Sequence, residues 1–385
     1  MYRVERRRTT VRDVRRANRA SLLTDLFHGG RQSRQQLGDT TALSQASVSN
    51  LVGEMIDEGL VEEAGLVGSD GGRPRALLRV APGFGYVVGA DVGETRVSVE
   101  LYDLAMSRLA VAAYPLGDPA DHDGAAAVLL KGLAAVTAEA GIEAGQVLGF
   151  GVAVPGVVDG DGVVYSQTTG WDAVPMAAML GAATAVPVFV ANGAQTVGQA
   201  EMWFGAGRGA RRAVIVLIGR GVGAAVMTDG AGSAVEWGHT PLVFGGALCR
   251  CGARGCLEAY VGGDAITARL GVDVDPRAMS RVLSGPVDAA AMAETVGYLG
   301  AGLAGLVNLF SPDRIVLGGA VGAALGERFL PDVRRTAAAS ALRHPFAHTR
   351  IDVCQLGPDA VAMGAATLPI ADLLATGGVT AARKG

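Results

Sequence analysis

Three of the four cysteines fall within eight positions, Cys249, Cys251 and Cys256, with His239 ten residues ahead of the first. Any fold of this chain must bring that His-x9-Cys-x-Cys-x4-Cys segment to one point. Three thiolates and an imidazole make a closed tetrahedral zinc set, and four protein ligands leave no open position for catalysis, so a structural zinc is expected. Gly252 and Gly255 let the intervening loop wrap a small ion. The alternative is three buried thiols beside an unrelated histidine. Cys354 stands apart and reads as a core thiol. Four cysteines among 385 residues do not make a disulfide scaffold.

Net charge is −4, which taken alone argues against a nucleic-acid binder. The charge is divided, however. The first 40 residues hold ten arginines against four acids, while the 305 residues after position 80 hold 20 basic and 27 acidic side chains. A basic head on an acidic body directs attention to DNA contacts at the head.

Within that head, residues 17–28 read as a helix with Ala20, Leu23, Leu26 and Phe27 on one face, stopped by Gly29-Gly30. Ser33 and Gln36 form a capping box for a short helix that includes Arg34 and Leu37. After a turn through Ala42-Leu43-Ser44, Val48, Leu51, Val52, Met55 and Ile56 give the apolar face of a second helix. Gln45, Ser47, Ser49 and Asn50 fall largely away from it. Short polar side chains at the start of the second helix of a helix-turn-helix suit base reading in double-stranded DNA. Residues 65–80 read as a β-wing with Arg73 at its tip, free to enter a minor groove. The DNA-contact candidates are Arg34, Gln45, Ser47, Ser49, Asn50 and Arg73. The alternative is a small helical bundle with a hairpin that serves dimerisation alone. One position departs from the pattern: the turn commonly has glycine where this chain has Ala42, and a left-handed backbone there costs alanine about 1 kcal/mol.

From residue 86 onward, short apolar strands alternate with Gly-rich turns and Ala-rich helices, which predicts an α/β fold. The strand candidates are 86–92, 96–101, 147–154, 186–190, 213–218 and 314–317. The helix candidates are 124–140, 194–203, 288–309 and 359–375. The turns Asp91-Val92-Gly93-Glu94-Thr95 and Gly219-Arg220-Gly221-Val222-Gly223 are half-related, which suggests duplicated lobes around a cleft. No apolar run reaches the roughly 18–20 residues that span a bilayer. The N-terminus is basic with no apolar stretch behind it, so it does not read as a secretory signal, and the expected setting is cytoplasmic.

Taken together, these segments resemble the ROK family (repressors, open reading frames and kinases), in its winged-helix repressor branch. The most specific match is Glu236-x-Gly238-His239 followed by Cys249-x-Cys251-Gly252-x-x-Gly255-Cys256-Leu257-Glu258. Ala153–Asp159, Trp203-Phe204-Gly205-x-Gly207 and Ile315–Gly319 are similar to further family segments. The resemblance implies a winged helix-turn-helix over 1–82 and a two-lobed actin-like, sugar kinase-like body. The first lobe would take 86–190 plus a C-terminal helix at 366–380. The second would take 191–365, with the zinc site and a dimerisation surface. It also implies a sugar in the cleft, touched by Asn192, Glu236, His239 and Glu258.

Kinases of this family carry an Asn-Asp pair where this chain has Asn192-Gly193, and glycine cannot act as the general base. Glu94 and Arg220 stand where the family's phosphate turns have glycine and threonine. Two separate solvated charges are the plain reading, and the sharper hypothesis is an ion pair between them across the former phosphate site. The expected function is a sugar-responsive DNA-binding regulator, a repressor, with a body that is not an enzyme and does not use ATP. Its effector would be a sugar or sugar phosphate. A homodimer, or a dimer of dimers, would sit on a palindromic operator, with no membrane partner. The rival readings are an active sugar kinase with a regulatory head, a regulator that no longer binds sugar, and a zinc sensor.

Overall fold

The computed structural model describes residues 10–68, 74–357 and 360–378. The head comprises α1 (Val11–Gly29), β1 (Gln32–Ser33), α2 (Arg34–Thr41), α3 (Gln45–Asp57), β2 (Val61–Val67) and β3 (Arg75–Val80). The first helix starts well before position 17, because Thr10 and Asp13 form a capping box ahead of the apolar stripe. Ser33 and Gln36 cap α2 reciprocally, and Ser44 accepts from the Ser47 N–H at the start of α3. Between these helices Ala42 does adopt the left-handed conformation, φ 55° and ψ 25°. Strands β1, β3 and β2 pair antiparallel as the wing. Arg73 lies outside the described residues.

The first lobe follows with β4 (Tyr86–Val92), β5 (Arg96–Asp103), β6 (Arg108–Pro115), α4 (His122–Ala140) and β7 (Val147–Val154). Then come β8 (Val157–Val158), β9 (Val164–Ser166), β10 (Trp171–Val174), α5 (Met176–Ala183), β11 (Val188–Asn192) and α6 (Gly193–Phe204). Its five-stranded sheet runs β11-β7-β4-β5-β6, parallel where β7 joins β11 and β4, and antiparallel through β5 and β6. Strands β10, β9 and β8 make a small separate sheet.

The second lobe contains β12 (Arg212–Ile218), β13 (Val222–Thr228), β14 (Ala231–Val235), α7 (Glu258–Val261), α8 (Gly263–Leu270) and α9 (Met279–Ser284). It continues with α10 (Ala289–Phe310), β15 (Arg314–Gly318), α11 (Gly319–Ser340), α12 (Arg343–Ala347) and β16 (Arg350–Val353). Its sheet order, β14-β13-β12-β15-β16, repeats the mixed pattern of the first, which is the duplicated architecture that the two turns suggested. One expectation needs correcting. Helix α10, at 22 residues, is long and apolar enough to cross a membrane by length and composition. Here it is a core helix, with Leu299, Leu303, Leu306 and Val307 buried among the side chains of the second lobe.

The last helix, α13 (Ala360–Thr376), returns to the first lobe and lies against β4, β7 and α6. That packing needs glycine beneath it. A Cβ on Gly89 would come within 1.9 Å of the Ala362 carbonyl oxygen, and one on Gly151 within 1.8 Å of that of Ala365. The other face of the same helix reaches the head. Leu22, Leu23 and Leu26 of α1 and Val52 and Met55 of α3 share one apolar cluster with Ile370, Leu373 and Leu374 of α13 and with Val87 and Tyr102 of the first sheet. Arg19, 9% exposed, donates to the Gly377 carbonyl and to Glu58.

Candidate functional site

The segment Thr240–Leu257 has no long helix or strand and is pinned by its own backbone. The Leu242 N–H donates to the Gly255 carbonyl at 2.7 Å, and the Cys249 N–H to the Ala253 carbonyl at 2.8 Å. Gly252 and Gly255 hold φ of +88° and +82°, and a Cβ on Gly255 would meet the Val243 carbonyl oxygen at 1.7 Å. This folding gathers His239, Cys249, Cys251 and Cys256, whose ligand atoms all lie within 4.8 Å of one another. The Sγ atoms of Cys251 and Cys256 are 3.8 Å apart, and Cys249 Sγ is 3.7 Å from His239 Nδ1. Tetrahedral zinc with bonds of about 2.3 Å to sulfur and about 2.0 Å to nitrogen sets ligand edges of roughly 3.5–3.8 Å, so the donor set fits that ion. Burial pushes the Cys249 thiol up to about 12 and raises that of Cys256, an arrangement that suits thiolates only beside a cation. Cys354 is partly buried elsewhere, and burial pushes it up to about 11.

The same loop forms one wall of a cleft between the lobes with a volume of about 1100 Å³. Asn192, Glu236, His239 and Glu258 all line it. Glu236 sits on the rim, its carboxylate 4.0 Å from His239 Nε2. His239 can therefore offer Nδ1 to a metal and turn Nε2 toward the cleft. Glu258 is 5% exposed at the start of α7. It accepts from the Val222 N–H at 2.8 Å and lies 3.4 Å from Arg250 Nε. Asn192 caps α6: its Oδ1 accepts from the Ala194 N–H at 2.8 Å, while Nδ2 donates to the Gly156 carbonyl at 2.6 Å. One amide proton of Asn192 is left for a ligand. Gly193, the next residue, opens onto the cleft, and a Cβ there would meet nothing closer than 3.7 Å. A side chain would fit at this position, so the lack of a base is not imposed by packing.

Glu94 and Arg220 approach to 3.7 Å, within ion-pair distance. The closer partner of Glu94 is a residue the sequence reading missed, Arg250, whose Nη1 contacts both carboxylate oxygens at 2.7 and 2.8 Å. Arg220 also lies 3.7 Å from Asp264. Arg277 was missed as well. It holds Asp275 through two guanidinium hydrogen bonds of 2.8 and 3.0 Å and a backbone one of 2.8 Å, lowers the Asp275 carboxyl to about 2 and lines the cleft with Asp91.

In the head, Ser49 and Asn50 are exposed on the outer side of α3. Gln45 is exposed too, but its amide leans over Gly38 of α2. The Ser47 hydroxyl is 3.0 Å from that of Ser44, within the helix cap. Arg34, at the start of α2, lies 4.0 Å from Glu63 of the wing. Part of the head's positive charge is spent internally, since Arg15 meets Glu54, Arg19 meets Glu58 and Arg79 meets Glu62.

Three known proteins are similar to this chain. The xylose repressor of Caldicellulosiruptor bescii is 27% identical over 94% of this chain and 97% of its own length. A glucokinase of Halalkalibacterium halodurans is 32% identical, but over 57% of this chain and 75% of its own. A crystal structure of a ROK family transcriptional regulator, a homologue of the Escherichia coli MLC protein, superposes with a TM-score of 0.78 at 23% identity, covering 95% of this chain and 98% of that one. The similarity to the repressor takes in head and body together, and the similarity to the kinase covers a shorter stretch. Residues 87–371 match the ROK family, and the chain belongs to it.

Proposed function

We propose that this protein is a sugar-responsive transcriptional regulator, a repressor, whose kinase-like body binds a ligand without phosphorylating it. The observation that carries the reading is Gly193. It stands at the head of α6 in a cleft lined by Asn192, Glu236, His239 and Glu258, with room for a side chain and none to take a proton. Loss of a positioned base lowers a rate by about 10²–10⁴. The outer side of α3, with Gln45, Ser49 and Asn50, would read base edges in the major groove. Arg34, Ser47 and the wing would hold its register. A structural zinc on His239 Nδ1, Cys249, Cys251 and Cys256 would fix the loop that carries Arg250 and orients His239 toward the sugar. A dimer would place two heads on a palindromic operator, in the cytoplasm, with half-sites related by the symmetry of the protein.

Selection of DNA from a randomised pool with the purified protein, with and without a panel of sugars, tests the regulator reading. Enrichment of an inverted repeat whose retention changes with one sugar is the expected outcome, and recovery of no sequence preference overturns it. Affinity for the selected site should fall steeply with salt. The glucokinase relative favours a second reading, an active kinase with a regulatory head. A coupled assay with ATP and hexoses decides between them, since turnover near the ordinary range of about 1–100 s⁻¹ would establish the kinase.

A further inference from the structure

Two guanidinium groups on separate loops of the second lobe, Arg220 between β12 and β13 and Arg250 between two candidate metal ligands, converge on one point in the cleft. Converging guanidiniums make a site for a carboxylate or a phosphate. Their occupant is Glu94, which comes from the opposite lobe on the β4–β5 turn. It meets Arg250 at 2.7 and 2.8 Å and Arg220 at 3.7 Å. These side chains are sheltered, Glu94 being 22% exposed and Arg250 31%. Arg250 also reaches Glu258 at 3.4 Å, so one guanidinium spans the first lobe, the metal loop and the floor of the cleft. Seven acidic residues and four arginines line the whole cavity, and of the acids only Glu100 is buried against an arginine outside it, Arg108.

We propose that Glu94 is a built-in anion for Arg220 and Arg250, so that the cleft takes an uncharged polyol and refuses ligands that carry phosphate. A phosphate arriving here must displace a bidentate carboxylate and then sit in a cavity with an excess of negative charge. A neutral sugar meets neither obstacle, and its hydroxyls can donate to Glu236 and Glu258. Because the pair joins the lobes, it also holds them together in the arrangement that receives the sugar. The choice of ligand class rests on the effector reading above. The internal anion does not.

Titration calorimetry of the full-length chain with inorganic pyrophosphate tests the internal anion without any sugar or DNA. The wild type should give no saturable heat at millimolar pyrophosphate. Glu94→Gln should gain binding by about tenfold or more, and Glu94→Gln/Arg250→Met should lose it again. Glu94→Ser, of different shape, must show the same gain. A wild type that binds pyrophosphate as tightly as Glu94→Gln, or a Glu94→Gln chain that gains nothing while melting like the wild type, overturns the proposal. For a sugar that alters DNA binding, the 6-phosphate should bind at least about tenfold more weakly than the parent sugar. Equal or tighter binding of the phosphate overturns the ligand class. Response to no sugar, together with the pyrophosphate gain in Glu94→Gln, overturns the effector reading and leaves the internal anion standing.

Discussion

The ring of His28, near the end of α1, meets the indole of Trp203, near the end of α6, edge to face with 4.8 Å between centroids. Phe27 and Phe204 complete the cluster, at 5.5 and 5.9 Å from Trp203 respectively and 6.1 Å from each other. Helix α6 begins at Gly193 in the cleft and ends in this cluster under the head. Its twelve residues span about 18 Å. One element therefore touches both the cleft and the head.

Trp203→Ala should loosen that seam. The indole is half-buried, so truncation costs about 2 kcal/mol, less than a fully buried tryptophan. The expected outcomes are a lower melting temperature and a weaker effect of ligand on operator affinity. Trp203→Phe, which keeps an aromatic edge, should restore most of both. Unchanged coupling in the alanine variant would show that α6 is not the connection.

His28 makes stability at the seam depend on pH. Although one edge of the ring stays exposed, the protein around it desolvates His28 and lowers its pKa, Arg208 adds to the effect, and Asp25 opposes it. The neutral ring is the form that the fold favours. The stability it contributes is complete above the ordinary histidine value of about 6.5 and is lost as pH falls through the lowered folded value. Melting temperature should therefore fall more steeply below pH of about 6.5 in the wild type than in His28→Gln. Parallel pH profiles for the two proteins would place the effect elsewhere.

Ala42→Gly should stabilise the head. Alanine holds φ 55° in an exposed turn, where glycine carries no Cβ penalty. The relief of about 1–2 kcal/mol is offset in part by the greater freedom of glycine in the unfolded chain, leaving a gain of up to about 1 kcal/mol. Denaturant unfolding measures it, and a loss of stability would show that Ala42 is not strained.

Elemental analysis should find one zinc per chain, with Cys256→Ser lacking it. A ligand present at a thousand times its Kd stabilises the folded state by about 4 kcal/mol, so removal of the metal should lower the melting temperature by several degrees. An unchanged melting curve for the metal-free protein would reduce the cluster to three buried thiols.

Much of this molecule could be read in advance where the signal is local. The cysteine spacing marked the gathered donor set, and the continuous apolar runs of β4 and β7, each bounded by turns, gave those strands to the residue. Strand β6 was not picked out: five of its eight residues are exposed, and its apolar run Leu109–Tyr114 is rich in alanine, which does not mark a strand. Strand β11 runs Val188–Asn192 rather than 186–190, since its register is set by pairing with β7. Arg250 was overlooked for a different reason. It sits among metal ligands, and its partner Glu94 is 156 residues away, a pairing that only the closed cleft creates. Likewise nothing in the periodicity of α1 or α13 indicated that each would cover the other.

That last contact has a consequence for how the chain comes apart. Leu23 and Leu26 of the head share their apolar surroundings with Ile370 and Leu373 of the final helix, so neither partner is complete alone. The head is not a bead on a string. Cutting the chain between β3 and β4 would expose both faces of the seam to water, and transplanting the head onto another body would carry a bare leucine surface with it. Unfolding of the wing and helices should coincide with that of the first lobe in a single transition, and operator specificity should resist exchange between relatives unless the last helix travels with the head.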